Sequence, residues 1–342
     1  MGAFHPGEVA VQVRAGAKVS GWGTAHVPAE IPPVAAEFLR AQRMVALGTV
    51  DDHGAVWADV ITGRAGFLGA PDQRSITITG RPALVDAQFA EANADGSAGA
   101  GAEAGPEGDG VVGGFGRESG LIAIEPWSRK RMRANGWIRR SGDHLVMHTD
   151  QVYANCPKYI QTRTIVEGGD EGEREPEGAG GSAASAGTAA AVTSTELSAQ
   201  QRDLISRADT FFIATRAPGL GVDVSHRGGN PGFVTVAGTT RVTWPEYVGN
   251  SMYMTLGNLE LDPRSGLLFV DWQTGRTLHL TGRAVTDWDP RRAAAVPGAQ
   301  RMVDFGLDRV VEVPDGMPLR WSFGEYHRFN PPVPAGRLNS AG

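Results

Sequence analysis

The sequence predicts a mainly β chain with a few helices (α+β), built as two small antiparallel barrels in tandem. Three observations predict it. Glycine, at 47 of 342 residues beside 21 prolines, stands well above its average share of about 7%, which favours turns and short strands. Apolar residues come in short runs, several with period two, the mark of strands. Finally, the second half of the chain repeats the organisation of the first.

Taken in order, VAAEFLRAQ (34–42) reads as a helix and MVALGTV (44–50) as a strand, with counterparts AQQRDLISRA (199–208) and TFFIATR (210–216). WADVITGRAGFL (57–68) lines up with GVDVSHRGGNPGFV (221–234) through a shared D-V and a later G-F. GLIAIEPWSRKRMRANGWI (120–138) parallels GLLFVDWQTGRTLHLTGRAV (266–285), each an apolar strand, a tight turn and a further strand. Thr277, His279 and Thr281 alternate with Leu278 and Leu280, so that strand covers one face. RWSFGEYHRFNPPVP (320–334) reads as a closing strand running into a tail. Two such units on one chain imitate a two-fold dimer.

Two Gly/Ala/Ser/Glu tracts lack hydrophobic periodicity. The resulting division is a first domain at 1–166 with a disordered insertion at 91–116, a disordered linker at 167–198, and a second domain at 199–342. Residues 91–116 hold five acids and no base, and 167–178 six acids against Arg174. The net charge of −6 therefore resides in the tracts, and the remainder is mildly basic. That suits a small phosphorylated ligand and argues against nucleic acid. No run approaches the roughly 18 apolar residues of a membrane helix, and no secretion signal is readable at the start. A cytoplasmic protein is expected. The single cysteine, Cys156, excludes an intrachain disulfide and a cysteine-based metal cluster.

The densest chemistry lies at 225–284. Arg227, Arg241, Arg264, Arg276 and Arg283 offer planar donors for phosphate oxygens. The Gly249-Asn250-Ser251 and Gly257-Asn258 turns present unobstructed backbone N–H groups. Trp244, Tyr247, Tyr253 and Trp272 are aromatics able to cover a flat ring system. Arg264 and Arg283 also read as solvated strand-end charges and the Gly-Asn pairs as plain turns; it is the clustering that points to a phosphate site.

In that order, S-H-R-G-G-x-P-G-F-V, T-W-P-x-Y-x-G-N, L-G-N-L-x-x-D-P-R-x-G-L-L-F and G-R-T-L-x-L-T-G-R-A resemble the predicted flavin-nucleotide-binding branch of the pyridoxamine 5′-phosphate oxidase superfamily. F-H-P-G-E-x-A-V-Q (4–12) and N-C-P-K-Y-I-Q-x-R (155–163) are similar to its two-barrel members. The resemblance implies FMN-binding split β-barrels forming a pseudo-dimer, with FMN at the barrel–barrel interface. It implies flavin contacts at Arg227, Asn250, Ser251, Asn258 and Arg276, with Trp244 beside them and Lys158 reaching across from the first half. Relatives often place basic residues after the Gly-Asn pair; here stand Ser251, Met252 and Tyr253, so part of the phosphate grip must come from elsewhere. The first half lacks the Gly-Asn stretch, so one main flavin is expected, on the second barrel.

The function so implied is an FMN-dependent oxidoreductase acting on a small molecule or a redox partner protein, as a monomer or a homodimer. A flavin carrier or sensor, or a split barrel holding haem or deazaflavin, are the alternatives. No catalytic residue is assigned. Cys156, near Lys158, reads as a reactive thiol or as a small buried residue. His226 reads equally as core or ligand contact. His144 and His148 lie about 13 Å apart on a strand, too far to share a metal. Arg129, Arg131 and Arg133 share a strand face, read as a solvated sheet edge or as a collar for an anion.

Overall fold

The computed structural model describes residues 4–17, 27–86, 116–154, 156–166 and 191–333. The expected insertion at 91–116, apart from Gly116, and the expected linker up to residue 190 lie outside them. The described chain is mostly antiparallel β, with five short helices.

The first half opens with α1 (Pro6–Arg14) and α2 (Pro33–Arg40), followed by β1 (Met44–Val50), β2 (Val56–Thr62), β3 (Leu68–Gly69) and β4 (Ser75–Thr79). It continues with β5 (Arg117–Glu125), β6 (Lys130–Ser141), β7 (His144–Ala154) and β8 (Arg163–Ile165). Seven strands form one sheet in the order β2-β1-β5-β6-β7-β4-β3. The second half holds β9 (Val192–Ser194), α3 (Ala199–Arg207), β10 (Thr210–Ala217), β11 (Gly221–Gly228), β12 (Thr235–Ala237) and β13 (Arg241–Glu246). Then come α4 (Met254–Leu261), β14 (Arg264–Val270), β15 (Thr277–Asp287), α5 (Pro290–Ala294), β16 (Arg301–Val313) and β17 (Trp321–Phe323). Its sheet runs β11-β10-β14-β15-β16-β13-β12, with β9 added against β16. Residues 192–194, expected in the linker, are thus a strand. The closing strand is three residues long and pairs with β8 of the first half.

Period two explains why β1 and β10 are apolar throughout. Val45 and Leu47 face a core of the first sheet, and Met44 and Ala46 face a second apolar layer. Phe211 and Ile213 likewise fill the core of the second sheet, while Phe212 and Ala214 enter the shared layer. Strands buried on both faces read as continuous apolar runs. The shared layer joins the halves, packing Ala58, Val60 and Ile122 with Val224, Leu268 and Trp321.

The two sheets match in detail. Leu47 pairs with Asp59 and Leu121, and Ile213 with Ser225 and Leu267. Each sheet carries a register shift at the same place, between Asn135 and Gly136 and between Thr281 and Gly282. By this register Trp57 holds the place of Asp223, and Asp59 that of Ser225, two residues away from the D-V match in sequence. The close contacts are reciprocal too. A side chain on Gly120 would strike the Cα of Asp223 at 2.8 Å, and one on Gly266 that of Trp57 at 2.7 Å.

Candidate functional site

An open cleft of about 130 Å³ lies where the halves meet. The first half contributes Arg131 and Arg133 of β6 and the segment Cys156–Tyr159. From the second half come Ser225–Gly228 at the end of β11, the loop after β13, the first turn of α4, and Arg301.

The floor is cationic. Arg131 and Arg133 sit two apart in β6 and so share a face. Arg133 makes an ion pair with buried Asp223, and its guanidinium lies 5.0 Å from the centroid of the Tyr153 ring. The Arg131 guanidinium stands 3.0 Å from His226 Nδ1. Burial first, then the Arg131, Arg227 and Arg163 charges, hold the His226 ring well below its ordinary pKa. The ring is therefore neutral, Nδ1 accepts from Arg131, and Nε2 carries the hydrogen. Burial, then Arg133 and Arg227, pull the Arg131 guanidinium down to about 9, so it, unlike the His226 ring, stays charged at neutral pH. Burial also lowers Arg133.

Four donors in this wall lack a partner: Arg131 Nε, Arg133 Nε, His226 Nε2 and Arg301 Nε. An unsatisfied buried polar group costs about 1–3 kcal/mol. All four residues line the cleft.

The opposite wall is a strained loop. Ser251 and Tyr253 have φ of 61° and 58°, and Tyr159 across the cleft has 67°. Left-handed backbone at non-glycine residues costs about 1–3 kcal/mol each and gathers at functional sites. Asn250 Oδ1 accepts from the Met252 N–H at 3.2 Å. No side chain caps α4, so its first amides and its dipole face this loop. Arg227 is held by Glu246 at 2.6 Å. Arg301 lies 5.2 Å from the Tyr253 ring centroid and 4.7 Å from that of Trp288.

The segment bearing Lys158 is clasped by the far end of the chain. Gln161 Oε1 accepts from the His327 N–H at 2.8 Å and from Asn330 Nδ2 at 3.0 Å, and Lys158 Nζ is 5.7 Å from the Phe329 ring centroid. Tyr159 donates to the Val248 carbonyl at 3.0 Å.

Of the seven residues expected to contact the cofactor, the structure brings Lys158, Arg227, Asn250 and Ser251 to the cleft. Trp244 is instead fully buried, edge-on against Phe211 at 5.2 Å, with its indole N–H on Glu246 at 3.2 Å. Its alternation with Val242 points it into the core. Asn258 is buried between His5 Nε2 at 2.8 Å and Thr215 Oγ1 at 3.0 Å, where it ties α1 to α4. Arg276 lies at the start of β15 near Asp271 and Glu312, outside the cleft lining.

The reading of Arg131 and Arg133 as a solvated sheet edge is corrected. Arg133 is buried and both line the cleft, because the second half covers that face. Arg129 does not share it; it precedes β6 with a left-handed φ of 57° and pairs with Glu325. Arg301 went unforeseen, since no local motif surrounds it. Cys156 and His226 line the cleft. Among the described residues no cluster fit to hold a metal ion occurs, and no helix is long and apolar enough to cross a membrane.

No protein-family model matches the sequence, and no curated protein matches it. Solved structures similar to this chain include HupZ of Group A Streptococcus, at 12% identity and a TM-score of 0.29, over 35% of this chain and 96% of that one. A Clostridium acetobutylicum protein of the pyridoxinephosphate oxidase family aligns at 10% identity and a TM-score of 0.26, over 36% of this chain and 92% of that one. An FAD-binding protein from Mesorhizobium loti aligns at 12% identity and a TM-score of 0.25, over 36% of this chain and 96% of its own.

Proposed function

We propose that this chain is an FMN-binding oxidoreductase of the pyridoxamine 5′-phosphate oxidase-like type, a tandem duplication folded as a pseudo-dimer that holds one flavin per chain. One observation carries the reading: buried arginine and histidine donors without partners belong to residues that line a cleft built from both halves. The residues fit the group. Phosphate is suited to Asn250, Ser251, the open first turn of α4 and the unpaired Arg301 Nε. Arg131 and neutral His226 offer N–H donors to the polar edge of a flat heterocycle, and Tyr247 and Tyr253 supply aromatic walls.

When bound, FMN supplies hydride or electron transfer. The chain's own residues bind, orient and exclude water. Glu246 fixes the Arg227 fork, Asp223 fixes Arg133, and the Arg131 contact sets the tautomer of His226. Lys158 and Cys156, across from the loop, stand where a small-molecule substrate or a redox partner's donor group would arrive.

In the matching place on the other side of the pseudo-dimer the described polar side chains are paired with one another or with backbone, which supports a single site. Thr277 and His279 occupy the register of Arg131 and Arg133. His279 is fully buried, bonded to the Ala58 carbonyl at 2.9 Å and to Thr277 Oγ1 at 2.8 Å. Asp59 accepts from the Leu84 and Val85 amides at 2.7 and 2.9 Å.

The reading is tested by adding FMN to the purified chain, reducing it anaerobically with NADH, NADPH or dithionite, and following reoxidation by candidate acceptors. Bound flavin that cycles supports it. Bound flavin that turns over with no donor or acceptor leaves a carrier, and a Soret band in the purified protein would replace FMN with haem.

A further inference from the structure

We propose that Glu8 is a proton-linked positioning residue of the cleft: an anion seated against Arg131 and Arg133 drives a proton onto its carboxylate. The proposal rests on the cleft's being the flavin site.

Glu8 lies in the first turn of α1, and its helix meets α4 with no side chain between them. A Cβ on Gly7 would strike the Gly257 carbonyl oxygen at 2.1 Å, and one on Gly257 would meet the Glu8 amide nitrogen at 2.5 Å. That contact buries Glu8 to 1% exposure. One carboxylate oxygen accepts from the His5 amide at 2.9 Å, while Oε1 has no partner.

The groups around it leave few ways to hold its charge. On its own helix, His5 Nδ1 accepts from the Gly7 and Glu8 amides at 3.2 and 3.4 Å. Its Nε2 hydrogen therefore goes to Asn258 Oδ1, and burial keeps the ring below its ordinary pKa. From α4 come Gly257 and Asn258, both uncharged. From β7 comes Tyr153, whose burial raises its pKa and whose hydroxyl lies on Asp223 and the Met254 sulfur at 3.2 and 3.0 Å. The remaining cation is Arg133 of β6, and its ion pair is with Asp223 of β11. Glu8 feels Arg133 only through the field, and burial raises its pKa to about 7.

The His5 amide and, after it, the positive field of Arg133 favour the Glu8 carboxylate, and the Arg133 guanidinium also lines the cleft. An anion entering there offsets that field, so the neutral carboxyl becomes favoured. Binding then takes up a proton, and affinity rises as pH falls through the neutral range.

Calorimetric titration with FMN at pH 7, in two buffers of different ionisation enthalpy, tests this. The unsubstituted protein is expected to take up as much as about half a proton more than Glu8→Gln, whose amide oxygen still accepts from the His5 amide. The second ionisation of the FMN phosphate contributes equally to both. Equal uptake in the two proteins overturns the proposal while leaving the flavin site standing; absence of any binding heat or fluorescence change removes both. If Glu8→Gln fails to fold, infrared difference spectra of the unsubstituted protein decide. A carboxylic-acid C=O band that grows on FMN addition supports proton uptake, and a spectrum without it overturns it.

Discussion

Arg131 and Arg227 differ in what already occupies them, and that difference ranks their effects. Arg227 is paired with Glu246 at 2.6 Å, whereas Arg131 contacts a neutral histidine and keeps an unpaired Nε. Hydrogen bonds to charged groups contribute about 1.5–3 kcal/mol. Arg131→Ala is therefore expected to weaken FMN binding at least tenfold, and Arg227→Ala by less, in fluorescence titrations of each variant. Arg276→Ala should leave affinity as it is, since its contacts are Asp271 and Glu312; a tenfold loss there would mean the site extends to β15. Of the residues expected around the cofactor, Arg227, Asn250 and Ser251 stood out because turn chemistry and arginine are local signals, and with Lys158 they line the cleft. The place of Trp244 was not legible, because aromatic chemistry shows in sequence but its direction depends on the sheet. Arg131 and Arg133 acquire their meaning from the other half of the chain, and Arg301 from residues distant in its own half, which no local pattern carries.

Helix α1 links its own stability to pH. A carboxyl whose folded pKa is raised from 4.5 to about 7 binds more protons in the folded than in the unfolded chain between those values. Stability is thus lost as pH rises through that window, by about 3 kcal/mol at most. Glu8→Gln removes this term. Urea midpoints of the two proteins should move apart between pH 5 and pH 8, with the variant gaining; parallel midpoints would show that Glu8 does not titrate there. This helix escaped prediction because its N-cap is His5, outside the usual Ser, Thr, Asp and Asn. Strands β1, β10 and β14 were readable, since burial on both faces leaves unbroken apolar runs. Strand β9 was hidden by its setting in a low-complexity tract.

The whole molecule depends on two sheets approaching backbone to backbone. Gly120 and Gly266 leave no room for a Cβ against Asp223 and Trp57, and a protein interior does not yield freely. Gly266→Ala is expected to cost about 1–3 kcal/mol in chemical unfolding, and to weaken FMN binding as well, because the halves that shift apart also form the cleft. Destabilisation with unchanged affinity would separate the interface from the site. The paired sequence segments fall on corresponding strands of the two sheets, although the D-V match ran two residues off register. The pairing of His279 and Asp59 was not legible, because they look as polar in sequence as Arg133 and Asp223 do. Equilibrium titration of the purified chain with FMN, followed by flavin fluorescence, probes the single shared cleft most directly. Saturation at one flavin per chain is expected; no binding, or two flavins per chain, would contradict it.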